Sequence, residues 1–306
     1  MPIVRQTTLR SAVSCRGIGL HGGTPVGLTL RPAGAGAGIA FLRMDGAVAR
    51  TPIPARHDFV VGTTMCTTLG LAGGPSVATV EHVMAALAGL GVDNALVEVD
   101  GAEVPVLDGS ALPFVDLIER AGIVALEAPR RVLRMLKPVI VAHGARSASV
   151  VPSDDFAVSI TIAYDGPPIA RQSASFRVGP ESFKREIAPA RTDGFLEEIE
   201  SLRARGLALG GSLDNAIVVS GATVLNEGGL RFPDEFVRHK ILDGVGDLAL
   251  AGAPILGHFH GEASGHALNQ ALLRAVFDDP SAHQFEIARE ADHEKVAWAL
   301  PRLASA

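Results

Sequence analysis

The 306-residue sequence predicts an α+β protein built from two similar halves, and three observations carry that expectation. Short runs rich in valine, leucine and threonine, broken by glycine and proline, give way at Thr79 to apolar residues three and four apart. The same order, strands before helices, resumes after residue 128. Between the later helices, Asp214-Asn215-Ala216-Ile217-Val218 echoes the earlier Asp93-Asn94-Ala95-Leu96-Val97, a similarity expected of related halves.

In the first half, residues 26–30 and 39–42 read as strands, with the proline- and glycine-rich stretch 32–38 as the turn between them. Val80, Val83, Met84, Leu87 and Leu90 predict a helix with Thr79 as its N-cap and Gly91 as its stop. Residues 95–99 form a strand, and Ser110 caps a second helix over about 111–121, closed by Gly122. Ala128-Pro129-Arg130-Arg131 is a polar break, which divides the chain into units 1–127 and 128–306. Strands are then expected at 132–136, 139–141, 148–151 and 158–163, and helices at about 181–187 and 195–205. The longest helix is expected last, from Asp234 to about Ala251, stopped by Gly252 and Pro254.

Composition narrows the function. Hydrophobic residues at 47% and charged residues at 20% are values of a folded globular chain. A net charge of −6, with no basic cluster, argues against nucleic acid as a partner. Two cysteines, Cys15 and Cys66, are too few for a disulfide framework or a cysteine-rich zinc site and suit a reducing cytoplasm. Neither a signal peptide nor a membrane span of about 18 apolar residues is expected.

Three groups of residues invite chemistry. In the long helix, His239, Asp243 and Asp247 are four apart and share one face, opposite Val237, Ile241, Val245 and Leu248. That face is either solvated or a source of metal ligands. Glu81 and His82 open the first helix off its apolar stripe. They read either as exposed polar residues or as a carboxylate beside a metal-bound imidazole. With His239 and Asp243 they supply two nitrogens and one oxygen, leaving a fourth tetrahedral position for water or substrate. The rival set is His258, His260 and His266, the first two on one face of a strand. If Asp247 instead reaches His266, the carboxylate would favour the charged ring and suit it to general acid work. Gly17-Ile18-Gly19-Leu20-His21-Gly22 matches G-x-G-x-x-G, but Thr24-Pro25 and a strand follow where a dinucleotide site needs a helix. These glycines are expected to shape a hairpin.

Taken together, Thr79-Val-Glu-His82, Asp93-Asn94, Asp108-Gly-Ser110, Ala190-Arg-Thr192, Leu225-Asn-Glu227, Phe236-Val-Arg-His-Lys240 followed by Asp243 and Asp247, and Ser264-Gly-His-Ala-Leu-Asn269 resemble one family. It is the zinc-dependent UDP-3-O-acyl-N-acetylglucosamine deacetylase family of lipid A synthesis, and the similarity runs in order from about Gln6 to Phe277. The resemblance implies two similar two-layer α/β sandwich domains packed through their helices, with the active site at the inter-domain cleft. It implies His82, His239 and Asp243 as ligands of one Zn2+ per chain, with Fe2+ as a possible substitute because imidazole and carboxylate accept both. It makes Glu81 the general base, His266 the general acid oriented by Asp247, and Thr192 a hydroxyl that holds the oxyanion. Lys240 and Tyr164 resemble substrate-binding positions, the latter stacking on uracil, and Met65 and Cys66 match an active-site loop. The insert at about 195–219, with Phe195, Leu202 and Leu207, resembles a passage for the 3-O-acyl chain.

The chain departs from the family pattern at Asp193, Asn215 and Ala263, which bears on diphosphate contacts and acyl-length preference. The implied substrate is a UDP-linked acylated N-acetylglucosamine and the expected state is a cytoplasmic monomer. Ala304-Ser305-Ala306 is either a frayed end or a protease-recognised tail. Two competing readings stand beside the deacetylase: a non-enzymatic protein with a solvated His/Asp helix face, and a lyase on the same scaffold.

Overall fold

The computed structural model describes residues 3–46, 51–164 and 169–289, and the tail at 304–306 lies outside them. The chain is α+β. In the first half, strands run in the order Val13–Ile18, Pro25–Pro32, Ala95–Val99, Ile39–Arg43, Ile53–Pro54. Alternation turns Val26, Leu28, Leu30, Phe41, Val97 and Val99 inward. Helices α1 (Glu81–Gly89) and α2 (Leu112–Ala121) pack together, and Val13–Ile18 packs on α2.

The second half is built on a seven-stranded sheet whose central strand is Ile255–Glu262. The start of that strand pairs with Arg131–Met135. Its remainder lies between Arg146–Pro152, antiparallel, and Phe156–Ala163, parallel. Helices α3 (Leu196–Ala204), α4 (Glu235–Leu248) and α5 (His266–Asp278) complete the described long helices, with α4 packing on Phe156–Ala163 and on α5.

The two halves meet where α1 lies against α4. Gly246 permits the approach, since a Cβ there would sit 2.0 Å from the carbonyl oxygen of Glu81. Gly89 likewise receives the ring of Phe183. Both glycines are needed for close contact, and the first brings the start of α1 beside the stretch of α4 between Asp243 and Asp247. Among the described residues no helix is long and apolar enough to cross a membrane, and Cys15 and Cys66 are both free thiols.

Several local expectations are corrected. Thr79 does not cap α1: its φ is 59° and its hydroxyl donates to Glu103 Oε1 at 2.9 Å, while Val80 takes the cap position. Ser110 precedes α2 by two residues and accepts from Leu112 N at 3.2 Å, with Ala111 at the cap. At the polar break one strand, Ile123–Pro129, ends and the next, Arg131–Met135, begins. Strand Ile123–Pro129 pairs with Arg5–Leu9, and buried Arg130 donates to Asp93 at 2.8 Å and to the Gly91 carbonyl at 2.7 Å. The long helix is followed by another, α5, whose opening residue is His266. The helical stretch at 181–187 is a short α turn, Pro180–Ser182, continued as a π turn, Phe183–Ile187. The glycine-rich run 17–22 ends one strand of a hairpin and starts its turn, as its sequence context requires.

Candidate active site

Three side chains from two helices converge. His82 stands in the first turn of α1, and His239 and Asp243 stand one turn apart on α4. One ligand atom from each lies within 4.8 Å of the others. Nε2 of His239 is 3.3 Å and Nε2 of His82 3.7 Å from Asp243 Oδ1, and the two rings meet edge to face at 5.0 Å. Four ligands held tetrahedrally at zinc bond lengths are about 3.3 Å apart, so the donor set is close to the size of such an ion.

Surrounding contacts fix the donors. The Ala190 carbonyl lies 3.0 Å from His239 Nδ1 and accepts its proton, which leaves the Nε2 lone pair facing Asp243. Lys240 Nζ donates to Asp243 Oδ2 at 3.1 Å, so Oδ1 is the oxygen turned to the imidazoles. Burial lowers the His82 pKa to about 3, aided by His239 and Lys240, so the ring is neutral and able to coordinate. Burial alone would raise Asp243, but its neighbours His239, Lys240 and His266 outweigh it and hold the carboxyl well below its usual range. Burial likewise opposes the Lys240 charge, yet Asp243 and Asp193 keep its pKa above the ordinary lysine value.

The face of α4 that carries these residues is not solvated: His239, Asp243 and Asp247 are 1%, 4% and 3% exposed. Glu81 and His82, each 3% exposed, are equally enclosed. Burial pushes the Glu81 carboxyl up to about 8, with Asp243 and Asp247 adding to the effect of burial and the His266 charge opposing it. Its Oε2 accepts from the Thr67 amide at 3.0 Å.

Asp247 turns away from the three converging donors. Its Oδ2 accepts from His266 Nδ1 at 2.9 Å and from Asn269 Nδ2 at 2.8 Å, and its Oδ1 accepts from the Thr67 hydroxyl at 2.6 Å. Burial works against a charged ring at His266, but Asp247, with Glu81 and Asp243, outweighs it and raises its pKa to about 10. The rival triad is not assembled. The rings of His258 and His260 lie 3.9 Å apart at a tilt of 34°, with His258 Nε2 2.7 Å from Ser159 Oγ, and His266 belongs to Asp247 instead.

Thr192 is held by backbone bonds from its amide to the Gly109 carbonyl and from Ile217 N to its own carbonyl, two residues from the His239 partner Ala190. Tyr164 and Phe195 pair with ring centroids 5.7 Å apart. Burial, then Asp193, raises the Tyr164 phenol, and burial raises Asp193 despite the nearby Lys240. In the loop before strand Thr68–Gly70, Met65 is half-exposed with a φ of 63°. Cys66 is buried, and burial pushes its thiol to about 11, which leaves it a poor nucleophile.

The 195–219 insert is seated on the glycine-rich turn: Leu209 N and Gly210 N donate to the carbonyls of His21 and Leu20, and a Cβ at Gly210 would strike the Gly19 carbonyl at 2.2 Å. Leu202 and Leu207 are half-buried in it, while Leu196, Leu209 and Leu213 are exposed. Asn215 lies within this insert. It is buried, accepts from Ser212 N at 2.8 Å and donates to the Gly210 carbonyl at 3.0 Å, which closes the loop. A cavity of about 170 Å3 between α1 and α4, lined by Met84, Leu87, Val245 and Leu248, contains none of the candidate catalytic side chains. Thr67 and Asn269 enter the site without a role expected from the sequence. A lone threonine has no spacing to mark it, although Asn269 lies three residues after His266, one helical turn away.

Residues 6–278 match the family model for LpxC, UDP-3-O-acyl N-acetylglycosamine deacetylase. The chain is 51% identical over 300 residues to the UDP-3-O-acyl-N-acetylglucosamine deacetylase of Anaeromyxobacter dehalogenans (strain 2CP-C), covering 98% of this chain and 96% of that one. It is 50% identical over 302 residues to the protein of that name from Myxococcus xanthus (strain DK1622), covering 98% and 95%. To that from Chromohalobacter salexigens it is 46% identical over 307 residues, covering 99% and 100%. By this similarity along nearly its whole length, the chain belongs to the UDP-3-O-acyl N-acetylglycosamine deacetylase family.

Proposed function

We propose that this deacetylase, an amide hydrolase of lipid A biosynthesis, removes the N-acetyl group of UDP-3-O-acyl-N-acetylglucosamine through Glu81, His266 and a zinc ion held by His82, His239 and Asp243. The observation that carries this reading is the meeting of three metal-type donors with a buried carboxylate and a carboxylate-paired histidine. Two imidazoles and one carboxylate suit zinc, and Fe2+ is the alternative the same donors accept. Zinc bound there would supply a Lewis acid for the amide carbonyl and lower the cost of ionising water.

The chain's own groups do the rest. Glu81, with Oε2 fixed by the Thr67 amide, takes a proton from the attacking water. The water oxygen bonds to the acetyl carbon, and the Thr192 hydroxyl donates to the developing oxyanion. His266 then delivers a proton to the sugar nitrogen as the C–N bond breaks, and Asp247 stabilises the charged ring until that moment. Acetate and a free glucosamine amine result. Lys240, Tyr164, Phe195 and Met65, with Cys66 behind them, border the nucleotide sugar, and the 195–219 insert, including Leu202 and Leu207, receives the acyl chain. The reading places this reaction in the cytoplasm, in a monomer with units 1–127 and 128–306. Product mass tests it: loss of acetate is expected, and loss of water would point to a lyase.

Two further outcomes follow from this reading. Because His266 donates as the cation, activity should persist up to its raised pKa and fall as pH climbs through about 10. Asp247→Asn removes the largest attraction that raises this value, so the alkaline limb should shift to lower pH in a kcat/KM profile. If the acyl chain lies in the insert, each buried methylene removed from it should lower kcat/KM about fourfold, from about 0.8 kcal/mol per methylene. Equal efficiency for substrates with and without the chain would contradict the placement.

A further inference from the structure

Thr67 touches every member of the proton-transfer machinery. Its amide donates to Glu81 Oε2 at 3.0 Å, its hydroxyl donates to Asp247 Oδ1 at 2.6 Å, and the same oxygen lies 3.3 Å from His266 Nδ1. It is 2% exposed, so none of the three contacts is shared with bulk solvent. Its carbonyl accepts from Val80 N at 3.2 Å, which ties the loop to the entry of α1 immediately before Glu81.

The proton count fixes the roles. The hydroxyl carries one hydrogen, and at 2.6 Å that hydrogen belongs to the Asp247 carboxylate. The oxygen therefore faces His266 Nδ1 with a lone pair, beside Asp247 Oδ2 at 2.9 Å. With Nδ1–H held between these two acceptors, the Nε2 proton is the one presented to the leaving nitrogen. Asn269 supplies the other donor to Asp247 Oδ2, so the carboxylate is held from both oxygens.

We infer that Thr67 is a positioning residue that sets base and acid in one frame: its amide aims Glu81 and its hydroxyl aims the Asp247–His266 pair. The inference rests on the roles proposed above for Glu81 and His266. The backbone contact is common to any residue at 67, whereas the hydroxyl contact is not, and that difference makes the idea testable.

Thr67→Val keeps the shape and removes the hydroxyl; Thr67→Ser keeps the hydroxyl and removes a methyl. In the full-length, zinc-loaded protein, kcat should fall about 10- to 100-fold in Thr67→Val, the usual effect of losing a hydrogen bond to a charged group. KM and bound zinc should be unchanged, and Thr67→Ser should stay within about threefold of the parent. Glu81→Gln and His266→Gln are measured alongside. If both collapse kcat while Thr67→Val matches the parent, this inference fails and the proposed mechanism stands; if either remains fully active, that mechanism itself fails. A loss in Thr67→Val that tracks lost zinc, or an equal loss in Thr67→Ser, would make the residue a structural prop and overturn the inference. Should Thr67→Val not fold, Thr67→Ala carries the same comparison, and failure of both to fold while Thr67→Ser folds with a reduced kcat also overturns it.

Discussion

Glu81→Gln is expected to lower kcat by about 10²- to 10⁴-fold, the span typical of a general base or acid, while bound metal and fold are preserved. Glutamine matches the carboxylate in shape and can still accept from the Thr67 amide, so the local geometry survives. What it cannot do is take a proton. The carboxyl is not among the three converging donors, which is why metal content should not follow activity downward. Steady-state kinetics with metal analysis of the same preparation checks this, and undiminished turnover in Glu81→Gln would remove it as the base.

The second large effect concerns the metal ligands. His239→Ala deletes one imidazole of the set and frees the Ala190 carbonyl that had oriented it. Losing an outer-shell partner typically costs 10- to 100-fold in metal affinity or activity, so losing a ligand should exceed about 100-fold. The side chain is 1% exposed, and the variant should also lose about 1 kcal/mol of stability from the vanished hydrogen bond. Activity of the parent protein should disappear on chelation and return on addition of zinc, whereas His239→Ala should not recover. Recovery of both to the same level would contradict the assignment.

Much of the centre is legible in the amino-acid sequence. The four-residue spacing of His239 and Asp243 puts both on one helical face, and Glu81-His82 opens a helix whose apolar residues are three and four apart. Helical periodicity, however, assumes a wet side and a dry side. Helix α1 is buried on nearly all sides because it lies between α2 and α4, so polar residues off its apolar stripe are enclosed rather than solvated. The same reasoning fails for strand Arg171–Arg177, whose residues alternate only between half-buried and exposed and show no run of large apolar side chains. Thr79 has the composition of an N-cap, but Glu103 claims its hydroxyl and its backbone sits at a positive φ. Asp247 shares the spacing of a third ligand on α4, yet its partner lies at the start of α5, a contact that only tertiary packing creates. The glycine-rich run shows the converse: its context already points to a turn, while its service as the seat for Leu209 and Gly210 depends on a segment far along the chain.

The central claim is that side chains 82, 239 and 243 share one ion. X-ray absorption and anomalous scattering at the zinc edge on the zinc-replete protein test it most directly. One ion per chain is predicted, with two imidazole nitrogens at about 2.0–2.1 Å and one carboxylate oxygen at about 2.0–2.2 Å, contributed by His82, His239 and Asp243. An ion bound through sulfur, an ion seated away from these three residues, or no bound ion after zinc repletion would contradict it.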